Sequence, residues 1–453
     1  MDNLITYLKQ IIPQLKNLRT NEIESYLVNA IFVSPYKRAS LEQIYNVVQL
    51  DYYPGLFQLG ERKNAPTFLL DEREVPFEKW LFLKFNAEVE QIYKNRNLAD
   101  KIDNIGVETL IEFSIGVLYF KNKQGESLVD LIINQEYSDI FRRIVMILLT
   151  GNPLYIFNNH QSFNNLGKEI TPQIIKNTKH YSLRQRLFQS IASGMLGMDI
   201  KESIVSTAPI SLDSNLSLKE STASQIVDEL YRYIDNTSKI GIDNYNEYYK
   251  EVILGHNIHV VWFTDDYIAT IFEMKFIEEQ MNVNKTLSFT LVPRYDSYSN
   301  DASYNDILEL LELDELQELR KYYHTGKFNI CRNGMDISTI DFFRMSSELY
   351  EIIYESDICV VSGARAYEMT QGLKKTVYYT GIAVCKSYTE SRTGFSKNSG
   401  KLIFLRQDAG ECSFNGFKDR SWRRIQDNNE IIPVAKFTAK EYYKDKYADK
   451  QTC

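Results

Sequence analysis

From residue 258 the chain alternates short, wholly apolar runs with longer stretches of helical periodicity, and few folds accept that pattern. Residues 258–264 (IHVVWFT) form the first run, and a helical stretch over 268–281 follows it. Strand-length runs recur at 286–292, 328–331, 358–361, 376–384 and 402–405, with helical stretches at 304–323 and 340–354 and a short one after Gly363. A strand that is apolar on both faces is covered on both faces, which in an alternating order means a parallel sheet. The expected fold is therefore α/β: a doubly wound, mostly parallel sheet with helices on both faces, over residues 256–453.

Residues 1–255 read differently. Apolar positions recur every three or four residues over 77–94, 107–120, 138–150, 183–198 and 223–233, so this part is expected to be mainly helical. Residues 1–18 read as an amphipathic helix interrupted at Pro13, without the basic start and small-residue cleavage site of a secretory signal. Residues 203–221 carry no helical period and read as a loop. The most apolar stretch, 140–149, contains Arg142 and Arg143 and is too short to span a bilayer.

The formal net charge of −8 argues against a broad nucleic-acid footprint. One local basic run, KDRSWRR at 418–424, reads as a solvated turn. The five cysteines (331, 359, 385, 412, 453) form no CxxC pair and are odd in number, so neither a zinc knuckle nor a disulfide framework is expected. A reducing, cytoplasmic setting suits them.

In a doubly wound sheet, ligands bind beyond the carboxyl ends of the strands. Asp265 and Asp266 follow the first strand, and Asn300 and Asp301 lie in the loop after the second. Asp336 follows the third, Gly363, Arg365 and Glu368 follow the fourth, and Lys386 follows the fifth. Three carboxylates in one crevice repel, and a hard divalent cation with oxygen ligands relieves that repulsion. Arg365 and Lys386 on the same rim suit a phosphate, the first by its fork and the second as a point charge. Each residue also has a structural reading: Asp266 as the cap of the helix near residue 268, Asp301 as the cap of the helix near 304, and Gly363 as a tight turn.

These positions resemble the damage-control phosphatase family, whose domain was once proposed to be an acidic-residue methyltransferase. The family shows Asp-Asn at the end of its first strand, where this chain has Asp265-Asp266, and Asn-Asp-Val-Thr after the second, where it has Asn300-Asp301-Ala302-Ser303. The stretch ICRNGMDISTIDFF matches the third strand and its turn. Gly363-Ala364-Arg365-Ala366 and Ala383-Val384-Cys385-Lys386-Ser387 match the branch fused to pantothenate kinases. The pattern departs at Asp266 (Asn in the family), at Ile268 and Ala269 (a Gly and an acidic residue), and at Ser362 (a Lys).

The resemblance implies a metal-dependent phosphatase acting on a small phosphorylated metabolite: a sugar phosphate, a phosphopantetheine-like compound or a nucleotide-like one. Asp265, Asp266 and Asp301 would hold Mn²⁺, Co²⁺, Ni²⁺ or Mg²⁺. Arg365 and Lys386 would face the phosphate, with Asn300, Asp336, Gly363 and Glu368 around the substrate. The alternative is a catalytically silent module that binds a nucleotide or sugar phosphate while the helical half meets a protein partner. A methyltransferase lacks its expected Gly-rich loop, because residues 265–269 contain no glycine.

Overall fold

The computed structural model describes residues 39–48, 67–70, 73–76, 96–118, 136–150, 159–197, 237–294, 301–332, 345–363, 372–382 and 401–410, with scattered single positions besides. The readings at 1–18, 203–221, most of 77–94 and 223–233, and the basic run at 418–424 lie outside the described residues. The chain forms two compact units, one built from residues 1–34, 55–157 and 417–453 and the other from 35–54 and 158–416.

The first unit contains an antiparallel hairpin of β1 (Thr67–Leu70) and β2 (Arg73–Pro76), which the helical periodicities do not announce. Among its described helices are Arg96–Ile105, Val107–Leu118 and Glu136–Thr150.

The second unit is a seven-stranded sheet in the order β3-β9-β8-β7-β4-β5-β6. Its strands are β3 (Ile240–Asp243), β4 (His259–Phe263), β5 (Ser288–Val292), β6 (Phe328–Ile330), β7 (Ile358–Ser362), β8 (Thr376–Ile382) and β9 (Leu402–Gln407). The ladders joining β4 to β8 through β5, β6 and β7 are parallel. β9 runs antiparallel to β8, and β3 joins β9 in parallel, so two strands at one end of the sheet oppose the other five. The chain winds outward from β4 through β5 to β6, then returns to β7 on the other side of β4. That reversal places helices on both faces and makes the β4–β7 boundary the topological switch point.

The packing shows why β4 is apolar throughout. Val260 and Trp262 join the main core on one face, while Val261 and Phe263 are fully buried on the other. Three helices cover the first face: α1 (Asn159–Asn177), α2 (Leu183–Gly197) and α3 (Tyr267–Val283). α3 has almost no exposed side, because α1 and α2 both pack against it, and α2 also reaches β8 and β9 of the sheet. Helices α1 and α2, which come from the part of the chain read as an N-terminal helical region, thus belong to the compact unit of the sheet. Cys331 and Cys359 are free and buried, and burial pushes the Cys359 thiol up to about 12. No described helix is long and apolar enough to cross a membrane.

Candidate functional site

At the carboxyl end of β4 the chain continues Thr264-Asp265-Asp266 before entering α3. Asp266 is the N-cap of that helix: its backbone is extended, and its Oδ1 accepts from the Ala269 amide at 2.9 Å. An N-cap carboxylate satisfies one of the orphan amides of the first turn and meets the positive end of the helix dipole. On the other side, a Cβ built on Gly194 of α2 would lie 3.3 Å from Asp266 Oδ2, so α2 closes directly over the carboxylate. Asp266 is consequently buried. Desolvation, then the charge of Asp265, and more weakly Glu273 and Asp301, push its pKa well above the ordinary carboxylate range; the Ala269 hydrogen bond opposes them.

Asp301 is brought alongside by the backbone. Asp266 and Asp301 form an isolated antiparallel bridge, and the Ala302 amide donates to the Asp265 carbonyl at 3.0 Å. The Arg294 amide donates to the Ala302 carbonyl at 3.0 Å, so the base of the loop after β5 is clipped shut. The helix near residue 304 is α4 (Tyr304–Leu310). Its cap is Ser303, in a reciprocal capping box with Asp306, which leaves the Asp301 side chain for another task.

That task involves a residue the sequence reading missed. Arg294, two residues past β5, is almost wholly buried. Its Nη2 stands 3.3 Å from Asp265 Oδ1 and its Nε 3.7 Å from Asp301 Oδ2. Arg294 Nε makes no hydrogen bond. A second residue was also missed: Glu273, two turns along α3 on the face of Asp266, 2% exposed. Desolvation raises its carboxyl to about 8; Ser362 and Trp262 ease that rise, the Asp265 charge adds to it, and Arg294 lowers it slightly. Neither Glu273 Oε2 nor Trp262 Nε1 reaches hydrogen-bonding geometry.

β7 supplies the opposite wall. Gly363 takes φ +88°, and a Cβ there would lie 2.2 Å from Cγ of Asp265. The position excludes every other residue twice over, by its left-handed backbone and by the carboxylate against it. Ser362 beside it accepts a hydrogen bond from Thr380 Oγ1 of β8 at 3.0 Å.

Of the residues singled out in the sequence, the structure gathers Asp265, Asp266, Asp301 and Gly363 at the switch point. Asn300, Asp336, Arg365, Glu368 and Lys386 lie outside the described residues. Asp265 and Asp301 therefore flank one guanidinium, with Asp266 and Glu273 buried nearby. Among the described residues, no three His, Cys, Asp or Glu side chains are gathered as a ready metal cage.

No family model and no curated protein matches the sequence. Among solved structures, the chain resembles a crystallised DUF89 family protein from Pyrococcus horikoshii, with a TM-score of 0.52. The fold is that of a DUF89 family protein. The match covers 73% of this chain and 98% of the other at 14% sequence identity, so the likeness to DUF89 is one of architecture.

Proposed function

We propose that the chain is a metal-dependent phosphatase that hydrolyses a small phosphorylated metabolite at the β4–β7 switch point. DUF89 is the damage-control phosphatase family that the sequence motifs resemble, and its fold supports the reading. The observation that carries it is that Asp265, at the end of β4, and Asp301, in the loop after β5, are brought to one guanidinium beside the Asp266–Asp301 bridge.

The donor set fits a hard divalent cation in chemistry, since it consists of carboxylate oxygens, and in charge, since Asp265 and Asp301 share a single guanidinium. Asp265, Asp266 and Asp301 would hold the cation, Asp266 through the oxygen that the helix cap leaves over. When bound, such an ion supplies Lewis-acid polarisation of phosphoryl oxygens and a more acidic water. The chain's own residues supply the rest. Gly363 lets β7 close against Asp265, Glu273 lines the interior behind it, and Arg365 and Lys386 are assigned to the phosphate charge.

Release of phosphate from an aryl phosphate, with Mn²⁺, Co²⁺, Ni²⁺ or Mg²⁺ added singly, tests the proposal. Wild type should turn over with at least one metal, and Asp265→Ala and Asp301→Ala should not. A folded, metal-loaded protein that hydrolyses none of a broad panel of phosphate esters would overturn it.

One observation favours a second reading, a silent phosphate-binding module. Where the family has a Gly and an acidic residue, Ile268 and Ala269 are packed into the core, Ile268 Cγ1 lying 3.1 Å from where a Cβ on Gly167 would stand. In that case a nucleotide or sugar phosphate raises the melting temperature without product forming.

A further inference from the structure

We propose that Arg294 is the resident cation of the acidic site: a positioning residue that holds Asp265 and Asp301 together in the metal-free protein and competes with an incoming divalent ion for their oxygens. A guanidinium does not shed its proton, so a buried one must be paired. Arg294 has carboxylates on two sides, Asp265 Oδ1 at 3.3 Å and Asp301 Oδ2 at 3.7 Å, contributed by the ends of two different strands. Its side chain is only 4% exposed, which places it in the interior behind the more exposed Asp265. Its Nε points at Asp301 without completing a hydrogen bond. Its backbone is held by the bond to Ala302, which anchors the root of the side chain beside the pair.

The same two oxygens are those the proposed cation needs. Without Arg294, Asp265 and Asp301 would have no described cation between them, and only a metal or a proton would relieve their repulsion. With it, the fold stands without metal, and an entering ion must displace the guanidinium from at least one oxygen. This second consequence rests on the metal-site reading, whereas the first does not, and the two are tested separately.

The first arm is a double-mutant cycle melted in chelator. Asp265→Asn should lower the melting temperature when Arg294 is present and raise it when Arg294→Met has removed the guanidinium, because it then relieves repulsion. An equal loss in both backgrounds overturns the proposal. If Arg294→Met alone does not fold, adding Asp265→Asn and Asp301→Asn should restore a cooperative melt, and failure to restore it overturns the proposal equally.

The second arm is a calorimetric titration of the full chain with Mn²⁺ alone. Arg294→Met should bind Mn²⁺ about tenfold more tightly than wild type, while Arg294→Lys, which keeps the charge, should not gain. Equal affinity in wild type and Arg294→Met overturns the competition. Absence of Mn²⁺ binding in both sinks the metal-site reading and leaves Arg294 to be judged by the first arm.

Discussion

Gly363 stands so close to Asp265 that a single added methyl group would lie 2.2 Å from the carboxylate carbon. Two strands that are neighbours in the sheet thus meet again beyond it, backbone against side chain. Gly363→Ala has to leave a left-handed backbone and push Asp265 aside, at a cost of about 2–4 kcal/mol. Denaturant melts should show that loss, and the double variant Gly363→Ala/Asp265→Ala should recover part of it.

Asp266 should separate into a capping effect and a charge effect. Asp266→Ala loses the bond from the Ala269 amide and is expected to cost about 1 kcal/mol. Asp266→Asn keeps an acceptor for that amide and cannot take the charged form that burial and Asp265 disfavour, so it should be neutral or stabilising near pH 7. Equal losses in the two variants would show that the charge, not the cap, matters at this position.

Glu273 predicts a pH dependence whose direction is fixed. Its carboxyl titrates near 8 in the folded chain against an ordinary 4.5, so the folded state binds the extra proton between those values. The stabilisation is complete below about pH 4.5 and is lost as the pH rises towards 8, by an amount on the order of a few kcal/mol. Melting temperatures between pH 5 and 8.5 should fall in wild type and fall less in Glu273→Gln. Asp266, shifted in the same direction, accounts for a slope that remains.

Removing Asp265 should cost two properties at once. Asp265→Ala is expected to abolish divalent-ion uptake, measured as metal content after dialysis. In chelator it should also destabilise the chain by about 1–3 kcal/mol, because Arg294 then keeps only part of its pairing. Considered without Arg294, the three aspartates would predict stabilisation on removing any one of them.

The parts of the fold that were legible are those whose burial dictates composition. Strands β4, β5 and β7 are mostly apolar runs because both of their faces are covered, and the turn at Asp265-Asp266 is marked by two acids ending such a run. β3 was not legible: its four residues, IGID, are short and only partly buried, so nothing sets them apart from a loop. Arg294 left a signal that went unread, a cation immediately after Pro293 in a stretch whose other charged residues, Asp296 and Asp301, are acidic. Glu273 left a fainter one, a lone acid in the apolar run IFEMKF, seven residues after the cap. Gly194 left none, since its role depends on α2 packing over α3 from more than seventy residues away in sequence.

The closure of α2 over Asp266 also has a consequence in time. Synthesis runs from the amino end, so Leu187, Phe188 and Ile191 of α2 emerge before the strand and helix that will cover them. Until α3 follows from the ribosome, that apolar stripe has no native partner, and the roof of the acidic crevice exists before its floor. A nascent chain arrested after residue 200 should therefore be recognised by chaperones that bind exposed apolar helices, and one arrested with the whole of β4, α3 and β5 outside the tunnel should be released from them.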